Sequence, residues 1–282
     1  MVSYIGGKSR ISKSLIIPEI PKDIHVYVEV FGGMMWNFFK MDLEEYPNLK
    51  TIVYNDKNPL NVNLIKCVRN HKEFLNYIHS LDYKIEDTDT FNEYKDKLFS
   101  EPFKLGDKPN YEYGFMYSYI LTTCYSGISP EKGRCVKRGG YTTKDGKYTS
   151  KFESFLKKLT NKDWVEKFNS ITFTHCLDFN RVMDIYDNLN TFLYLDPPYF
   201  SCEEYYSNHD FGEKDHKRLI KRLEKSHSRW ALSYYDFPQL SEWLPKDEYR
   251  WISKEFIKEG GAKKGKTKNK GTELLIMNYG DK

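Results

Sequence analysis

What the sequence has little of narrows it before any motif is read. Five cysteines in 282 residues, at 67, 124, 135, 176 and 202, make no C-x-x-C pair and no metal-ligand spacing. No metal is expected, and the thiols read as free, in a reducing compartment. No apolar run approaches a membrane-spanning length, and the opening MVSYIGGKSR carries no apolar signal core. A soluble, cytoplasmic protein without a membrane partner is expected, a viral or phage gene being among its compatible sources. Neither sign of charge dominates: 44 basic against 40 acidic residues leave +4, too mild to establish a polyanionic partner. There is no internal repeat, and oligomeric state (monomer or transient dimer) stays open.

What is there is an alternation of short apolar strands and amphipathic helices, in a chain long enough to bury a full-sized core. HVYVEV (25–30), TIVYN (51–55), SITFTH (170–175), TFLYLD (191–196), WALSY (230–234), YRWISK (249–254) and ELLIMN (273–278) read as strands. Helical patterns such as Asn58–Arg69 and Lys214–Ser226 fall between them, which predicts an α/β sheet with helices on both faces. The pattern breaks between about Cys67 and Thr160, where a helical stretch gives way to a strandless segment rich in glycine and lysine. The expected organisation is a discontinuous sheet domain, 1–66 and 161–282, holding a mainly helical inserted domain, 67–160, with a basic hairpin or loop.

Functional signals gather at strand ends. YVEVFGGMMWN (27–37) runs a strand through Glu29 into Phe31-Gly32-Gly33 and then a helix-like stretch, where glycines let a ligand approach the backbone. The next strand ends in Asn55-Asp56, where a nucleotide-binding sheet puts its ribose-binding acid. Asp56 also suits a helix N-cap ahead of Pro59. Asp196 closes a third strand, and Pro197 and Pro198 after it cannot extend a ladder. The three strand ends are expected to open into one crevice.

YIGGK (4–8), EVFGG (29–33), YND (54–56), LDF (177–179) and DPPY (196–199), followed by LSYYD (232–236) and ELLIMNY (273–279), resemble in this order the Dam-type adenine-specific DNA methyltransferases. The resemblance spans nearly the whole chain. It implies a Rossmann-like sheet that transfers a methyl group from S-adenosyl-L-methionine to N6 of adenine in double-stranded DNA. One departure is Met35, which stands where the family often has a further glycine; a slightly different fit around the methionine end of the cofactor is expected.

The chemistry of such a transfer accounts for the corner at Asp196. An exocyclic amine is a poor nucleophile because its lone pair is delocalised into the ring. Two acceptors gripping its N–H bonds, the Asp196 carboxylate and the Pro197 carbonyl, draw the nitrogen towards tetrahedral geometry. Pro197 and Pro198 stiffen the corner and bring no competing donor. Tyr199 offers a flat face to a base flipped out of the duplex. By resemblance, Phe31, Gly32 and Gly33 line the cofactor's methionine moiety with Glu29 beneath, and Asp56 holds the ribose. Asp178 and Phe179 read its adenine, and Tyr4, Gly6, Gly7 and Lys8 close over it. Asp178 also suits a helix N-cap.

The insert is the expected DNA contact. Nine lysines and arginines face two acids from Lys132 to Lys158, with Tyr141 and Tyr148 interleaved and KDGK (144–147) as a hairpin turn. CYSGISPEKGR (124–134) resembles the family's recognition segment. Tyr125 is placed to act as a wedge, and Arg134, Lys137 and Arg138 to contact phosphate. A second basic stretch, KKGKTKNK (263–270), reads as a loop able to touch phosphate. RNA or a protein amide is an alternative substrate, although glutamine methylation usually goes with Asn in place of Asp196. A catalytically silent relic that binds cofactor and DNA is a further alternative.

Overall fold

The structure is a computed structural model, and it describes residues 7–83, 87–124, 141–142, 148–200, 211–257 and 270–281. Contacts within the chain gather into two compact units. One includes Asn58–Cys176; the other is made of Lys8–Lys57 and Leu177–Lys282. The described strands are β1 (Val26–Glu29), β2 (Thr51–Asn55), β3 (Tyr141–Thr142), β4 (Tyr148–Thr149), β5 (Phe173–His175), β6 (Thr191–Leu195), β7 (Arg229–Tyr234), β8 (Arg250–Ile257) and β9 (Lys270–Met277). The described α-helices are α1 (Trp36–Lys40), α2 (Pro59–Arg69), α3 (His71–His79), α4 (Thr88–Phe99), α5 (Tyr111–Thr123), α6 (Lys151–Leu159), α7 (Lys162–Asn169), α8 (Phe179–Tyr186), α9 (Glu213–Leu223) and α10 (Leu240–Trp243).

All seven strands expected from the sequence join one sheet, in the order β5-β2-β1-β6-β7-β9-β8. β2, β1, β6 and β7 run parallel, while β9 is antiparallel to both β7 and β8. This is the Rossmann-like α/β sheet expected. The central strands are buried on both faces, as their unbroken apolar runs require. Alternation gives the two faces different chemistry. Val28, Val30, Val53, Leu193, Leu195 and Leu232 join an aliphatic core with Val182 and Met183 of α8 and Leu219 and Leu223 of α9. The opposite positions, Tyr27, Glu29, Tyr54, Tyr194 and Ser233, bury polar atoms that bond one another and nearby backbone, as in Tyr194 Oη to Ser233 Oγ at 2.8 Å.

The other unit is built from helices with ordinary start signals. Asp87, Asn110, Ser150 and Asn161 each accept a hydrogen bond from a backbone N–H in the first turn of the helix they precede. Its core is aromatic. Phe115 of α5 has ring neighbours Tyr83, Tyr94 and Phe152 with centroids 5.1, 5.4 and 5.8 Å away, all edge-on. The stretch expected to lack strands contains the short antiparallel pair β3–β4, with Tyr141 opposite Thr149. The whole KDGK turn between them lies outside the described residues, as do Tyr125, Arg134, Lys137 and Arg138.

Cys67 and Cys176 are free thiols, but Cys124 is disulfide-bonded, against the expectation of free thiols. Pairing depends on the approach of Cα atoms in space, which spacing along the chain does not report. Among the described residues no helix is long and apolar enough to cross a membrane.

Candidate active site

The register of the sheet builds the site. Glu29 is aligned with Tyr54 on one side and Tyr194 on the other. Two residues further along each chain, Phe31, Asp56 and Asp196 therefore come abreast, just past the carboxyl ends of three neighbouring parallel strands. The chain passes from β1 to β2 on one side and places β6 on the other, so the row lies where strand order reverses.

The Phe31-Gly32-Gly33 turn folds back onto β2. Gly32 N–H donates to the Asn55 carbonyl at 2.7 Å, and a Cβ on Gly32 would lie 2.4 Å from Tyr54 Cε2 and 2.8 Å from Asn55 O. No side chain fits there. Gly33 is left-handed (φ 47°), its N–H donating to Asp56 Oδ2 at 2.7 Å and its carbonyl accepting from Tyr54 Oη at 2.9 Å. Asp56 thus braces the glycine turn and does not cap the next helix; that cap is Asn58, whose Oδ1 accepts from Leu60 N–H at 2.9 Å. Met35 is also left-handed (φ 51°). It stands where the resembled family often has glycine, and its Cβ bears a strain that glycine would not.

Beneath the turn, Glu29 accepts from Tyr27 Oη at 2.8 Å and from the Phe38 N–H of α1 at 3.0 Å, both at Oε1. Burial pushes its carboxyl up to about 8, with the charge of Asp196 adding to the effect. At neutral pH Glu29 is mostly protonated. It supports the turn as a neutral hydrogen-bonding group.

The corner after β6 is buried at Pro197 and Pro198 and opens at Asp196, whose side chain is 19% exposed. Against it lies Lys8, whose side chain is only 6% exposed. The Lys8 carbonyl accepts from Ile11 and Ser12 N–H at 3.1 and 2.9 Å, and Ser12 Oγ in turn donates to Asn37 Oδ1 of α1 at 2.5 Å. Held this way, Lys8 Nζ lies 2.8 Å from Asp196 Oδ1, 3.6 Å from Glu273 Oε1 and 4.7 Å from the centre of the Tyr199 ring. Tyr199 Oη donates to Glu273 Oε1. Burial works against the charge on Lys8, yet Asp196 and Glu273 outweigh it and hold the amine above its ordinary value. Burial raises Asp196, with Lys8 opposing, and it pushes Tyr199 well above the usual phenol range, helped by both carboxylates. Tyr199 is a neutral hydroxyl.

Over residues 4–259 the chain matches the D12 class N6 adenine-specific DNA methyltransferase family. The chain belongs to that family. Its activity is methylation of adenine in DNA, which sets aside the RNA and protein-amide readings, and a methyltransferase of this class implies S-adenosyl-L-methionine as the methyl donor. The chain is 28% identical over 304 residues to the Type II methyltransferase M.MjaIII of Methanocaldococcus jannaschii, covering 99% of this chain and 98% of that one. It is 26% identical over 222 residues, 78% of this chain and 76% of the relative, to the Type II methyltransferase M.CviBI of Paramecium bursaria Chlorella virus NC1A. Among solved structures, an rRNA methyltransferase from Streptomyces viridochromogenes aligns with 98% of this chain and 85% of its own, at a TM-score of 0.35 and 9% identity.

Three contributors to this methyltransferase's site had no assigned role in the sequence reading. Asn55 donates to the Val30 and Leu177 carbonyls at 2.9 and 3.1 Å and accepts from Leu177 N–H at 3.0 Å. That clamp delivers Asp178 and Phe179 to the same strand ends, with the Phe179 ring 5.8 Å from Phe31. Asp178 is the N-cap of α8, accepting from Asn180 N–H at 3.0 Å. It also pairs with Arg218 of α9 at 2.8 Å, whose guanidinium lies 4.4 Å over the Phe179 ring. Glu273 is the third, a buried carboxylate in β9 immediately before the apolar run Leu274–Met277, and that placement is the one signal the sequence carried. Of the residues expected to close over the cofactor, Gly7 is exposed, and Tyr4 and Gly6 lie outside the described residues. Among the described residues no cluster of His, Cys, Asp and Glu is suited to a metal.

Proposed function

We propose that the Asp196-Pro197-Pro198-Tyr199 corner takes one adenine turned out of a DNA duplex, and that the strand-end row beside it holds S-adenosyl-L-methionine. The observation carrying this reading is the position of Lys8. Its ammonium donates to Asp196 and lies over the face of Tyr199, the two contacts an adenine amine and ring would need. A buried cation already in that place marks a pocket made for N–H donors and a flat partner.

The residues present fit the cofactor. Asp56, at the end of β2, is an acceptor for a ribose diol, and the glycine turn lets a ligand reach backbone beside Phe31. Phe179 and Asp178 supply an apolar ring and an acid for an adenine. When bound, S-adenosyl-L-methionine supplies an electrophilic methyl group on sulfonium. The rest falls to the chain. Asp196 Oδ and the Pro197 carbonyl hold the two N–H bonds of the target amine, so that its lone pair faces away from them. The carboxylate is the nearest acceptor for the proton that the methylated nitrogen gives up. Tyr199 stacks on the base. Glu29, neutral under the turn, leaves Asp196 as the anion.

Residues 1–66 and 161–282 form the transfer domain in this reading, and 67–160 reads the duplex. Tyr125 fills the vacated stack, and Arg134, Lys137 and Arg138 contact phosphate. A defined recognition sequence fits the Type II naming of both relatives. The test is incubation of unmethylated duplex DNA with labelled cofactor, then mapping of N6-methyladenine by single-molecule sequencing. Label at one recurring sequence is expected; label scattered without a motif, or absent, overturns the reading. For the insert, Lys137→Ala should weaken binding to all duplexes and reduce the slope of log affinity against log salt by roughly one, without moving the methylated sites. A changed set of sites at an unchanged slope would make Lys137 a base-reading residue.

A further inference from the structure

We infer that Glu273 is a positioning residue for methyl transfer: it orients Tyr199 through its hydroxyl and receives the Lys8 ammonium when the target amine takes Asp196. The inference rests on the assignment of Asp196 to the target amine.

Glu273 lies near the start of β9's buried stretch, 2% exposed, and its described partners are the Tyr199 hydroxyl and Lys8. A buried carboxylate is costly unless paired and hydrogen-bonded. Pairing Lys8 alone does not require it, because Asp196 already sits 2.8 Å from the ammonium. The second acid makes sense once the pocket fills. An adenine amine donating to Asp196 displaces Lys8 from it, and a lysine this buried cannot be left without an anion. Glu273 Oε1 is 3.6 Å away, so a small rotation of the lysine completes that pair without moving the backbone. The same oxygen accepts from Tyr199, which fixes the ring that stacks on the base. Its neighbour Leu274 is registered with Tyr234 of β7. The next residue, Tyr235, has its ring 4.3 Å from Tyr199. Among the described residues, the charged or titratable groups facing this pocket are Lys8, Asp196, Tyr194, Tyr199 and Tyr235, with Glu29 near enough to feel the charge of Asp196. Lys8 is the cation among them.

The experiment compares full-length wild type with Glu273→Gln, which keeps an acceptor for Tyr199 but removes the charge, and Glu273→Asp, which keeps the charge. Unmethylated genomic duplex and tritiated S-adenosyl-L-methionine give kcat and KM, calorimetry gives cofactor affinity, and ¹⁵N NMR of the lysine side chains follows the titration of Lys8. Glu273→Gln is expected to lower kcat about tenfold or more, leave cofactor affinity within about twofold, and lower the pH at which Lys8 titrates. Glu273→Asp should keep the Lys8 titration nearer wild type and show a kcat between those of wild type and Glu273→Gln. If the Gln variant does not fold, a Lys8 titration and kcat in Glu273→Asp indistinguishable from wild type overturn the role. Wild-type kcat in Glu273→Gln, an unmoved Lys8 titration, or an Asp variant no better than the Gln one overturns the role of Glu273. A wild-type protein that leaves adenine unmethylated overturns the site assignment instead, and the Lys8 titration still decides whether Glu273 is its partner.

Discussion

The two compact units stabilise themselves by different means. In the helical unit, a core of edge-on aromatic rings and a set of Asp, Asn and Ser caps do work that many side chains of similar size or polarity perform equally well. In the sheet unit, the ends of β1, β2 and β6 are held by particular atoms. These include the Asn55 carboxamide bonded to three backbone groups, the Asp56 carboxylate on Gly33 N–H, and an ammonium between two carboxylates. Ring packing tolerates substitution at a cost in stability. Altering the strand-end network is expected to cost more in chemistry than in stability, since Lys8 keeps one carboxylate when the other is lost. The contrast predicts that lesions in the two units fail in different assays.

The largest effect is expected at Asp196. Asp196→Ala should lower methyl transfer about a thousandfold, as loss of a preorganised polar contact to the reacting group does. Cofactor affinity should stay near normal, because Asp196 grips the amine. Near-normal turnover would break the comparison at its centre. Next is Phe152→Ala in the helical core, where a fully buried ring with three described edge-on partners disappears. It should cost about 3 kcal/mol of stability by denaturant unfolding, while the folded fraction binds cofactor as before.

The third effect depends on pH. Glu29 has an ordinary carboxyl value of 4.5 and rises to about 8 in the folded protein. A group whose folded value is raised contributes most stability below its unfolded value and loses it as pH rises through the folded one. Stability should therefore fall between pH 4.5 and about 8 on account of Glu29. Glu29→Gln, which still accepts from Tyr27 and Phe38, removes that slope. It should match wild type near pH 4 and be more stable by roughly 2 kcal/mol already at about pH 6, the gap widening towards pH 8. Parallel stability curves for the two proteins would show that Glu29 is ionised when folded. The smallest effect is at Asp56. Asp56→Ala should weaken cofactor binding about tenfold, the worth of one charge-assisted contact, with a modest loss of stability from the released Gly33 N–H. Unchanged affinity in calorimetry would confine Asp56 to bracing the turn.

Much of this site could be read without coordinates. Asp196, Phe31 and Asp56 each end an apolar run at a proline, a glycine or a cap, and such punctuation is local chemistry. The misreadings came where a local rule had two satisfiers close together. Asp56 and Asn58 both suit an N-cap, and Asn58 holds it because its carboxamide stands directly before Pro59 and reaches Leu60 N–H. Arg218 and Glu273 carried almost no signal, since one looks like a solvated helix charge and the other like the first residue of a strand.

By itself the sequence determined the strands, their order of chemistry, the glycine turn and the proline corner, because each depends on residues within a few positions of one another. The tertiary structure alone decided that Lys8, Asp196, Tyr199 and Glu273 meet. Those contacts join residues up to 265 positions apart, from Lys8 to Glu273. They exist because β9 runs antiparallel beside β7, and because burial makes an ammonium and two carboxylates find each other once water is excluded.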